Sequence, residues 1–71
     1  MTKEIRQMLS FLERNGYWLD QSITGYYRLF RGLRYNQSES DLIYDDPASD
    51  DVYDYDSAIY TFYCIVTGEY E

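Results

Sequence analysis

The chain contains no histidine, one cysteine, one proline and no base beyond Arg34. Without histidine, the commonest general acid-base group is missing, and with Cys64 alone there is neither a Cys-His nucleophile nor the usual zinc constellation. A single cysteine also excludes a disulfide within the chain, and its place in the most apolar stretch reads as a buried small hydrophobe. Long hydrophobic runs are missing too: Ala58 to Val66, the longest nearly apolar stretch, is about half the ~20 residues that span a bilayer. No basic n-region followed by an apolar h-region opens the sequence, so the expected location is cytoplasmic. No internal repeat is visible and no Gly-rich phosphate loop occurs; with histidine absent and cysteine single, a conventional enzyme is not expected, nor any cofactor, catalytic residue or metal site.

What is present fits one small domain over 1–71. The 71 residues, 8.6 kDa, are 45% hydrophobic, near the globular norm, so the chain can collapse around one thin core. Thirteen acids oppose six bases, for a net charge of -7 and a pI near 4.2. Such a field repels nucleic acid and anionic membrane alike, which argues against either as a direct partner. The charges are also segregated. All six bases lie at or before Arg34 with only three acids, whereas residues 35–71 hold ten acids and no base. Eight of these fall between Glu39 and Asp56, an asymmetry that points to an interaction surface.

Ile5, Met8, Leu9 and Leu12 follow helical spacing, with Thr2 as N-cap, Glu4 in the first turn and Asn15-Gly16 as the stop, which predicts a helix over about 3–14. Past Gly16 the sequence turns to Tyr, Trp, Ile and Phe. Strands are expected at about 17–23 and 26–35, joined at Thr24-Gly25, with Gly32 marking a bulge. Tyr26, Leu29, Phe30 and Leu33 also satisfy the helical template. Aromatic enrichment and the flanking glycines favour the strand. Residues 36–57 read as an acidic connection containing a short extended piece at Leu42-Ile43-Tyr44. Residues 58–67, apolar on both faces under alternation, read as a central strand. The expected fold is α+β: an N-terminal helix packed on a three-stranded, mainly antiparallel sheet, with the acidic loop before the last strand. Ile5, Met8, Leu9 and Leu12 would pack on Leu19, Leu29, Leu33, Ile59, Ile65 and Val66.

The acidic connection admits four readings. It can be a solvated loop. It can mimic phosphates, since alternate carboxylates such as Asp54 and Asp56 on an extended chain lie about 6.6–6.8 Å apart, comparable with successive phosphates on one strand. Calcium is a third reading, although the D-x-[DN]-x-[DN]-G loop with its terminal Glu is absent. The fourth, a carboxylate pair for hydrolysis, needs an apolar pocket that a crowded acidic loop does not offer. For the mimic, the partner-binding residues are Asp45, Asp46, Asp50, Asp51, Tyr53, Asp54, Tyr55 and Asp56. The carboxylates would meet Lys and Arg of a basic groove, and the tyrosines would anchor and stack on arginines. Arg28, Arg31 and Arg34 read as internal balance for the acids.

The segment Ile5 to Leu29, a helix closing on Leu12-Glu13-Arg14-Asn15-Gly16-Tyr17-Trp18 before a hairpin, resembles HicA-type toxin ribonucleases. That family's catalytic Gly-Ser-His segment would fall near Gln21 to Gly25. Here the chain reads Gln-Ser-Ile-Thr-Gly, so the activity is not carried over. In size, acidity and its ten tyrosines, the chain resembles the small inhibitors that phages and mobile elements direct against host defence, anti-CRISPR and anti-restriction proteins among them. This resemblance implies a non-enzymatic protein in the host cytoplasm. It would occupy the nucleic-acid site of a basic defence or DNA-processing protein, as a monomer or homodimer. A homodimer also suits so small a core. The alternative is a protein-interaction adaptor or homodimerisation module docking through a Tyr-rich sheet.

Overall fold

In the computed structural model, which describes residues 1–68, two helices cover one face of a three-stranded antiparallel sheet of order β1-β2-β3. The first helix, α1 (Lys3–Arg14), matches the expected span. Thr2 Oγ1 accepts the Ile5 N–H at 3.2 Å, and Asn15 caps the other end before Gly16 at φ +84°. Its apolar stripe turns inward, and Leu12 is fully buried.

The expected hairpin is present with shorter strands, β1 (Tyr17–Gln21) and β2 (Tyr27–Gly32). A turn over Ser22 to Gly25 closes it through the Gly25 N–H on Ser22 O at 3.0 Å. The helical alternative for this region is excluded. Gly32 is not the bulge: it pairs with Ser40 at φ +146°, and a Cβ there would meet Glu39 O at 2.6 Å. The register shift lies between Leu29, opposite Tyr44, and Phe30, opposite Leu42, leaving Ile43 without a partner in β2.

The third strand is not where the sequence placed it. β3 is Ser40–Tyr44, inside the acidic connection, and it contains the short extended piece expected at 42–44. The segment 58–67, expected as a central strand, belongs instead to a second helix, α2 (Tyr55–Thr67). Asp54 begins α2 as N-cap, accepting the Ser57 N–H at 3.1 Å, and Gly68 ends it at φ +79°. The acidic loop therefore precedes the last helix. It also carries two short 3-10 turns, Gln37–Glu39 and Asp50–Val52.

Leu12, Leu29, Val52, Ala58, Ile59 and Phe62 form the fully buried core. Ile5, Met8, Leu9, Leu19, Ile65 and Val66 pack around it, as expected in membership though not in secondary structure. Leu33 does not join: it follows β2 and is 55% exposed. The second sheet face holds its own aromatic layer. Trp18 stacks on Phe30 at 4.6 Å, Tyr35 stands edge-on to Trp18 at 5.7 Å, and Trp18 Nε1 donates to Ser40 Oγ at 3.1 Å. Gln37 Nε2 donates to Asp20 Oδ2 at 3.0 Å, so the 33–39 connection folds back against this face.

Candidate functional site

The acidic segment is held by contacts to the rest of the fold and by hydrogen bonds within itself. β3 ties its start to β2, and the Tyr26 hydroxyl donates to Asp45 Oδ1 at 2.7 Å just after β3 ends. Asp46 Oδ1 accepts the Ala48 N–H at 3.0 Å, a turn contact of the kind that favours Asp in loops. The Tyr53 hydroxyl donates to Pro47 O at 2.7 Å, and fully buried Val52 plugs the turn into the core. Asp54 then caps α2, and Asp56 sits in its first turn, where a negative charge faces the positive end of the helix dipole.

The expected contact residues therefore divide. Asp45, Asp46 and Asp54 each hold a structural hydrogen bond. Asp50, Asp51 and Asp56 make no side-chain hydrogen bond or ion pair among the described residues, and Asp51 and Asp56 meet in one groove. That groove, about 300 Å³, is also lined by Ile5, Ser57, Tyr60 and Thr61. Asp54 and Asp56 do not offer the extended-chain spacing expected of them, because the helix begins between them. Both expected tyrosine anchors are partly occupied within the fold. Tyr53 leans on Tyr26 at 6.0 Å, and Tyr55 on Tyr27 at 5.3 Å. Tyr53 remains 47% exposed and Tyr55 37%.

The phenols of Tyr26 and Tyr55 titrate above the usual tyrosine value. The hydrogen bond to Asp45 raises Tyr26, because the neutral phenol donates to a carboxylate, and desolvation adds to this. Burial raises Tyr55. The ion pairs lie elsewhere. Arg28 pairs with Asp20 across β1 and β2, and Arg34 pairs with Glu13 at the end of α1. Arg31 lies over the Tyr17 ring at 5.6 Å. The arginine triplet thus balances first-half acids and aromatic rings, not the acidic segment as expected.

Asp41, Leu42 and Ile43, which were not among the expected contact residues, stand exposed on β3. The apolar stretch Leu42-Ile43-Tyr44, expected as a short extended piece, was the available signal. Among the described residues, no group of three or more Cys, Asp or Glu side chains is arranged to hold a metal ion. None of their helices is long and apolar enough to cross a membrane. Compared with protein-family models, curated proteins and solved structures, the chain matches none.

Proposed function

We propose that this protein is a non-enzymatic inhibitor whose acidic, tyrosine-bearing segment occupies the nucleic-acid groove of a basic defence or DNA-processing protein. One observation carries the reading: both ion pairs among the described residues use acids of the first half, Asp20 and Glu13. The carboxylates from Glu39 to Asp56 are thus left without an internal base. The segment is also anchored, through β3, Val52 and the Asp54 cap. Anchoring lowers the ordering entropy that a floppy acidic tail would lose on binding. The carboxylates supply steering and counterion-release terms that DNA would otherwise supply. Tyr53 and Tyr55, half exposed and backed by Tyr26 and Tyr27, present rigid rings for stacking on arginine.

The test is displacement of labelled duplex DNA from purified CRISPR surveillance complexes and restriction endonucleases, run across a salt series. Mimicry predicts displacement that weakens steeply with ionic strength. Replacing Asp50, Asp51, Asp54 and Asp56 together by Asn should abolish displacement while the chain stays folded, since Asn caps helices about as well as Asp. Displacement by this variant equal to the parent's would refute the reading.

A second reading is favoured by a separate observation: Leu33, Tyr35 and Leu42 are 55%, 72% and 50% exposed on or beside the second sheet face. That surface suits an adaptor or homodimer docking through apolar contact. It predicts weak salt dependence and no competition with nucleic acid.

A further inference from the structure

The sheet has two edges that differ in what they offer. β1 forms one, and among Tyr17–Gln21 only Gln21 is exposed. Its one acid, Asp20, is already paired with Arg28. β3 forms the other. Asp41, Leu42 and Ile43 are all exposed, Leu42 at 50% and Ile43 at 42%, and no strand of the described residues runs along its outer side. In an antiparallel strand, alternate residues turn their N–H and C=O groups away from the neighbour, so β3 presents unpaired backbone donors and acceptors to solvent.

The surroundings of this edge are of one charge. Glu39 and Asp41 lie at its start, Asp45 and Asp46 just past its end, and none of them has a basic partner among the described residues. Proteins commonly blunt an open edge with lysine, proline or a bulge; here the edge has the irregularity at Ile43 but neither lysine nor proline, and the charges around it are all acidic. Those acids select the occupant. Pairing of β3 with β3 of a second copy would set carboxylates against carboxylates within a residue or two in any register, which is destabilising. A strand bearing Lys or Arg gains where a second copy loses.

The geometry points to the outer edge of β3 as the docking site for an extended basic segment of a partner protein, which adds to the sheet as a fourth strand. This rests on the reading above that the partner is basic, and it specifies how that partner is held. Main-chain hydrogen bonds along Ser40–Leu42 supply affinity, apolar side chains of the segment cover Leu42 and Ile43, and its Lys or Arg residues face Glu39, Asp41 and Asp45. Ile43, standing out of the ladder at the register shift, ends the regular pairing.

The probe is the acetylated, amidated peptide KVKVRVK, titrated into the whole chain while backbone amide shifts are followed by NMR. Two further peptides of the same sequence carry backbone N-methyl groups, one on the valines and one on the basic residues, so charge and side chains are kept while one hydrogen-bonding edge is blocked. Strand addition uses only one edge of the peptide. The parent peptide should therefore shift amides of Ser40–Tyr44, and one methylated peptide should bind at least tenfold more weakly while the other is tolerated. The double variant Leu42→Lys, Ile43→Lys, at two exposed positions, should lose binding to the same degree. Equal binding of all three peptides would overturn strand addition and leave docking by charge alone, in which case the inhibitor reading survives. No binding of the parent at millimolar concentration would overturn it as well. The inhibitor reading stands or falls separately, on the Asn variant, whose substitutions leave β3 untouched.

Discussion

Asp54 is where the folding role and the proposed binding role of the acidic segment can be separated by one pair of substitutions. Its Oδ2 accepts the Ser57 N–H at 3.1 Å, one of the α2 donors without a partner inside the helix. Asp54→Ala removes that bond, at about 1 kcal/mol for a typical N-cap, and also the favourable charge at the helix N-terminus, at about 0.3–1 kcal/mol. Asp54→Asn keeps the bond and loses only the charge. The expected losses are therefore about 1–2 kcal/mol for Ala and about 0.3–1 kcal/mol for Asn. Against a total of roughly 4–11 kcal/mol for a chain of this length, the first is a large fraction. At about 4–8 °C per kcal/mol, Ala should lower Tm by at least about 4 °C, with Asn clearly in between. Urea and thermal unfolding followed by circular dichroism at the helical band would measure both. Equal losses for Ala and Asn would mean that charge alone acts at this position, and no loss for either would mean that α2 does not start at Asp54. Either result would refute the capping argument.

Gly32→Ala should cost more than about 1–3 kcal/mol, because it combines a backbone at φ +146° with a Cβ 2.6 Å from Glu39 O, whereas Gly16→Ala, at φ +84° with open space around it, should cost about 1 kcal/mol. A Gly32→Ala chain that melts with the parent would contradict the close pairing of β2 and β3. Tyr26 and Tyr55 hold their protons more tightly in the folded chain. The unfolded chain ionises first as pH passes about 10, so their contribution is complete below that value and is lost as pH climbs through the folded values. The double variant Tyr26→Phe, Tyr55→Phe should show a shallower fall of unfolding midpoint between about pH 9 and pH 11, and an unchanged slope would count against both assignments.

Local chemistry made α1 and the hairpin readable. In α1, four apolar residues at helical spacing, a Thr cap and an Asn-Gly stop all act within one stretch of chain, and burial on one side leaves a clean period. Aromatic and β-branched residues around a turn with Gly25 marked β1 and β2 in the same way. The charge segregation was also plain, since it depends on composition alone.

The last two elements were decided by neighbours distant in sequence. α2 packs against both α1 and the sheet, so Ala58, Ile59, Thr61, Phe62 and Cys64 are all buried and the one-sided pattern that identifies a helix is lost. An apolar run of that length then reads equally well as a strand, and only the limits, Asp54 with Ser57 at one end and Gly68 at the other, distinguish it. β3 shows the reverse. It is a short edge strand, largely exposed and set among acids, so its residues resemble a loop until β2 supplies the hydrogen-bonding partner. Which acids are free followed from the same source. Asp45 and Asp54 sit in one charged run with Asp50 and Asp51, and only the approach of Tyr26 from the hairpin and the start of α2 gives them bonds their neighbours lack. Periodicity records how one segment meets one environment; burial from two sides, edge pairing and hydrogen bonds between remote residues arise only when the chain closes on itself.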